Sequence, residues 1–77
     1  MTRQTVQELV NDVLVKSGFG FEKSFDETKT LEDIGMDSLD VLQFIADCEK
    51  KFSLEDLQIL TTTSLSHIID HIFDLKN

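Results

Sequence analysis

The stretch Leu31-Glu32-Asp33-Ile34-Gly35-Met36-Asp37-Ser38-Leu39-Asp40 gathers the residues of this chain best placed to do chemistry. A serine follows an acid where a glycine-bearing loop turns into an amphipathic helix. The first amides of a helix have no partner inside it, and the macrodipole favours an anion there. A phosphodiester on Ser38 would sit in that field. Gly35 lets the chain turn tightly before the serine. Asp37 can cap the helix, or accept contacts from a modifying enzyme or its metal. Taken alone, an Asp-Ser-Leu triplet is an ordinary helix start. It gains weight from opening the second helix of a small acidic chain.

The other reactive side chains carry less. A nucleophilic Ser38 would need a base, an orienting group and an oxyanion hole. His67 and His71, the only two histidines, fall on a helix face shared with Asp70 and Asp74, opposite the apolar stripe. That is a solvated face, and no Gly-x-Ser-x-Gly elbow exists. The i, i+4 histidines could sit side by side, but two imidazoles make an incomplete site where structural zinc wants four ligands. Asp33 and Asp37 do not fit a calcium loop. Cys48, the only cysteine, reads as a small core hydrophobe. No catalytic residue and no metal site is expected.

Four elements are predicted to hold these residues. A first helix runs from about Arg3 to Lys16 behind a Thr2 cap, with Val6, Leu9, Val10, Val13 and Leu14 in a helical stripe. Gly18 stops it. A long loop follows from Ser17 to Asp37. Ser24-Phe25-Asp26-Glu27 reads there as a capping box for one helical turn. Leu31 and Ile34 are expected to plug the loop into the core, and Phe19, Phe21 and Phe25 to cover core edges. The second helix, from about Ser38 to Lys51, turns Val41, Phe44, Ile45, Cys48 and Phe52 inward at about 100° per residue. Leu39, Leu42 and Ala46 form a second strip elsewhere on it, flanked by Asp40, Gln43 and Asp47 on one side and Glu49 on the other. Such a strip is either packing against the loop or an exposed docking surface. A short third helix is expected behind a Ser53 cap, then a Thr61-Thr62-Thr63 connector. A last helix runs from Ser64 to about Leu75 and buries Leu65, Ile68, Ile69, Ile72 and Phe73. The expected fold is all-α: a four-helix bundle with a short third helix and a long loop between helices one and two. Residues 1–77 form one domain.

Composition narrows the function. Fifteen acids against seven bases leave a net charge of -8, which opposes nucleic-acid backbones and anionic membranes. It suits partners with basic patches. No segment has the length to cross a membrane, the N-terminus has no signal-peptide pattern, and no disulfide can form within the chain. The expectation is a cytoplasmic monomer.

Gly35-Met36-Asp37-Ser38-Leu39-Asp40 resembles the acyl carrier protein signature, with Leu31 to Ile34 similar to the segment leading into it. Phe52 falls where that family's second helix ends, and Thr63-Ser64-Leu65 through Ile72 resembles its last helix. The resemblance implies that a phosphopantetheinyl transferase moves 4′-phosphopantetheine from coenzyme A to the Ser38 hydroxyl, beside Asp37. It also implies that the arm's thiol carries acyl groups as thioesters to acyl-transferring and acyl-modifying enzymes of fatty acid, polyketide or related specialised biosynthesis. The chain itself would catalyse nothing. Leu39, Asp40, Leu42, Ala46 and Asp47, with Asp37, become candidate partner contacts. Ile45, Cys48, Leu60 and Ile68 become candidate lining for the acyl chain, alongside their plain reading as core. Gln43 and Lys50-Lys51 stand where the family more often has acids, which leaves a dedicated carrier of a specialised pathway open beside a carrier of housekeeping fatty acid synthesis. The rival reading is an adaptor that keeps the carrier fold but acts by binding, with or without the arm.

Overall fold

Thr2 starts the first element. Its hydroxyl accepts the Thr5 amide at 3.1 Å, and α1 runs Arg3–Lys16. Val6, Val10, Val13 and Leu14 are buried along it, and Leu9 packs half-buried beside them. Lys16 meets the carbonyl end favourably, and Gly18 ends the helix in the left-handed region at φ 87°. The computed structural model describes residues 1–21 and 24–77. The expected long loop passes through residues 22 and 23, which lie outside that description.

The loop is pinned at both its flank and its end. Arg3 of α1 bonds Glu27 of the loop at 3.0 Å and Asp70 near the other terminus at 2.6 Å. Both carboxylates hold the guanidinium firmly in its charged form, Glu27 more than Asp70. Leu31 is wholly buried and Ile34 half-buried, so both plugs are in place. Phe19, Phe21 and Phe25 pack against the core edge, with Phe21 edge-on to Phe25 at 5.0 Å. The expected helical turn at Ser24–Glu27 is absent. Asp26 instead accepts both the amide and the hydroxyl of Thr28, closing a turn and holding its carboxyl below the usual range. The helical turn lies further on, as a 3₁₀ turn at Glu32–Ile34. There Thr30 and Asp33 exchange side-chain bonds with each other's amides at 3.0 and 3.1 Å, which likewise depresses the Asp33 carboxyl.

α2 spans Ser38–Phe52 and buries Val41, Phe44, Cys48 and Phe52, with Ile45 half-buried. α3 spans Leu65–Lys76 behind a Ser64 cap and buries Leu65, Ile68, Ile69 and Ile72; Phe73 is half-buried. α1 packs on both. The buried set contains no polar or charged residue among those described.

The expected four-helix bundle is corrected, among the described residues, to three α-helices and one 3₁₀ turn. Ser53 does not cap a third helix; it ends α2 in the left-handed region, φ 55°, with its amide on the Glu49 carbonyl. Asp56 takes the same conformation. Two positive-φ residues so close together rule out a continuous right-handed helix. The connector is instead anchored by Glu49, whose carboxylate accepts the Leu57 amide at 2.9 Å. Leu57 and Ile59 are then buried with the spacing of extended chain, and Leu60 faces out. The connector's end zips onto the long loop. Glu32 donates to Thr61 and Leu31 to Thr63, while Leu65 and Ser66 donate back to Lys29 and Glu27. An antiparallel bridge joins Thr30 to Ser64 within this zip.

Candidate functional site

Ser38 is the first residue of α2 and is exposed. The preceding Gly35 sits at φ 97°, which sets the direction in which the chain enters the helix. Asp37 is the cap. Its carboxylate accepts the Asp40 amide at 2.9 Å, while Asp40 accepts the Asp37 amide at 3.1 Å. This reciprocal box satisfies two of the amides left over at a helix start. Because the acids on either side do the capping, the Ser38 hydroxyl is left outside that task.

A groove of about 430 Å³ opens beside Ser38, lined by Ser38, Val41, Leu42, Ile45, Ile59, Leu60, Thr61 and Thr62. One wall is α2 and the other is the connector. Ile45 and Leu60, both foreseen as lining, are here; Leu60 is 70% exposed over the groove rather than in the core. Cys48 and Ile68 are wholly buried core residues and are not among the groove's lining. Burial pushes the Cys48 thiol up to about 12, with the neighbouring Asp47 and Glu49 adding to the effect. It stays an inert thiol at ordinary pH. Ile59, Thr61 and Thr62 were not foreseen as lining, because their positions follow from the connector's extended path.

The second apolar strip of α2 is open to solvent. Leu39 is 76% and Leu42 63% exposed, and Ala46 is exposed beside them. Asp40 is half-buried by its capping role. Asp47 is half-buried too and accepts the Gln43 side-chain amide at 2.9 Å. The strip therefore presents bare leucines next to Ser38. On α3, His67 and His71 stack with ring centroids 6.4 Å apart. Among the described residues no three metal-ligating side chains come together. No described helix is long and apolar enough to cross a membrane.

The family model described as "Phosphopantetheine attachment site" matches residues 4–72, nearly the whole chain. The chain belongs to the acyl carrier protein family. It is similar to the acyl carrier protein of Chloroherpeton thalassium, 39% identical over 79 residues that cover 99% of each chain. The acyl carrier protein of Chlorobium phaeobacteroides is 32% identical, over 94% of this chain and 96% of its own. That of Campylobacter fetus is 38% identical over 65% of this chain and 68% of its own. No solved structure gives a significant match.

The prosthetic group of the family is a covalently held 4′-phosphopantetheine. The residues here fit one. A hydroxyl that is exposed and spared from capping stands at a helix start, beside a groove whose lining mixes aliphatic side chains with two threonines. When bound, the group supplies a thiol that holds an acyl chain as a thioester.

Proposed function

We propose that Ser38 is the attachment point, and that the chain carries acyl intermediates between enzymes of fatty acid or a related specialised biosynthesis while catalysing nothing itself. The observation that carries this reading is the division of labour at the start of α2. Asp37 and Asp40 hold the helix end, and the Ser38 hydroxyl is exposed at the mouth of the groove. On attachment the Ser38 hydroxyl would give up its proton to the transferase's base and Oγ would attack the pantetheine-bearing phosphorus of coenzyme A. The pyrophosphate bond breaks, adenosine 3′,5′-bisphosphate leaves, and Oγ becomes the ester oxygen of a phosphodiester. The unpartnered first-turn amides favour the resulting charge.

Leu39, Leu42 and Ala46 are the apolar centre of the proposed partner contact, for the transferase first and for acyl-handling enzymes afterwards. Exposed leucines cost solubility unless something covers them, and Asp37, Asp40 and Asp47 add the charge that steers a basic partner onto them. Ile45 and Leu60 are the proposed walls for the acyl chain. Cys48 and Ile68 would line it only if the core opened. A single-domain monomer in the cytoplasm fits the size, the acidity and the lone buried thiol.

The test is loading. The arm-bearing chain, given an acyl-coenzyme A and its acyltransferase, should gain an acyl group that neutral hydroxylamine removes, as it does a thioester. An arm-free chain that binds its partner as tightly as the loaded one, and takes no acyl group when armed, would instead make it an adaptor.

A further inference from the structure

The charge along α2 changes sign, and the change falls on the outward face. Leu39, Leu42, Ala46 and Lys50 are spaced three or four residues apart and all exposed, so they form one line. At the Ser38 end, the line starts beside the acids Asp37 and Asp40 of the capping box. At the other end it finishes in Lys50, with Lys51 exposed beside it. The two acids of this second half are each engaged within the chain. Glu49 is half-buried with its carboxylate on the Leu57 amide. Asp47 is half-buried and bound by Gln43. Lys16, from the end of α1, joins the two lysines around a separate groove of about 470 Å³, lined by Val13, Lys16, Asp47, Lys50 and Lys51. Three of the chain's seven basic residues therefore meet in one place. Among the described residues neither Lys50 nor Lys51 is in an ion pair.

We propose that this lysine end is a second docking contact, and that it fits a partner enzyme bearing acidic side chains at the matching distance. Lys50 lies 12 residues beyond Ser38, about 18 Å along the axis at 1.5 Å per residue. A partner whose docking face is basic near the serine and acidic at that distance would meet both ends favourably. A partner basic along its whole face would meet Lys50 and Lys51 with like charge, which selects against it. The inference rests on the carrier reading above, and it names the partner's charge pattern as the determinant of selectivity.

A charge-swap cycle tests it. The probe is a β-ketoacyl synthase of ordinary fatty-acid synthesis, chosen for a carrier-docking face that is basic throughout. A second form of the same enzyme has the two basic residues facing the end of α2 replaced by glutamate. Each is titrated with the native chain and with Lys50→Glu/Lys51→Glu. Intact mass first reports whether each chain carries the arm, so failure of the carrier reading shows there and leaves the binding comparison standing. The native chain should bind the swapped enzyme roughly three- to tenfold more tightly than the original, the size expected of exposed charge pairs. The doubly reversed chain should prefer the original, and both preferences should shrink in high salt. Circular dichroism checks that the reversed chain is folded; if it is not, Lys50→Gln/Lys51→Gln replaces it and should lose the preference. Native and reversed chains that rank the two enzymes alike would overturn the proposal.

Discussion

Asp37 and Ser38 share the start of α2, and the order of the two matters. Had the serine been the cap, its oxygen would be bound to a backbone amide and turned toward the helix. With Asp37 capping, the hydroxyl next to it costs the fold nothing to modify. Cys48 shows the opposite arrangement. Its thiol is wholly buried, with a folded-state pKa raised from 9.0 to about 12. The folded chain therefore holds that proton more tightly than the unfolded one. Its contribution is fully present below pH 9.0 and is lost as pH rises toward about 12. A thiol reagent should accordingly modify Cys48 far more slowly in the native chain than in denaturant. Equal rates would show that the core opens at Cys48, and would restore that residue as a candidate lining of the acyl chain.

At the scale of elements, α2 depends on how the loop delivers it. Gly35 is left-handed at φ 97°, and a Cβ there would meet nothing nearer than Phe19 at 3.9 Å. The penalty for Gly35→Ala is therefore backbone strain alone, about 1–2 kcal/mol, readable as a lower urea midpoint. An unchanged midpoint would mean that the turn relaxes freely. The three helices were legible because each announces itself locally: Thr2, Asp37 and Ser64 as caps, followed by apolar residues at helical spacing. The stretch after Phe52 was not. Leu54, Leu57 and Leu60 are three apart and imitate a helix, whereas the structure buries Leu57 and Ile59 on an extended path. What decides between them is not local. It is the Glu49 carboxylate, eight residues back, and the zip between Thr30 and Ser64. The same blind spot covers the site. Ser38 and Asp37 could be read from the signature, but the far wall of the groove, Ile59 to Thr62, depends on that connector.

For the whole molecule, three helices still suffice to close a core. The radius of gyration is 11.1 Å, against about 11.5 Å expected of a packed chain of this length. The connector thus fills the place of a fourth helix without being one. The loop also holds exposed polar bonds of its own, and two of them titrate. Asp33 and Asp26 have folded-state carboxyl pKa values below their ordinary 3.8 because Thr30 and Thr28 donate to them. Groups shifted that way stabilise the fold above the unfolded value, and the gain is lost as pH falls through the folded one. The chain should therefore lose stability on acidification below about pH 4. Asp33→Asn should start less stable at neutral pH and show a shallower loss across that window. A wild-type slope in Asp33→Asn would mean that the Thr30 pair adds no pH-dependent stability.

The central claim is chemical and concerns one oxygen atom. The measurement is the intact mass of the chain after incubation with coenzyme A, Mg²⁺ and a promiscuous phosphopantetheinyl transferase, with fragmentation to locate any added group. The expected result is a gain of one phosphopantetheine on the peptide containing Ser38, and no gain in a folded Ser38→Ala chain. A folded native chain that stays unmodified while a control carrier is converted alongside, or a Ser38→Ala chain that still takes up the arm, would contradict it.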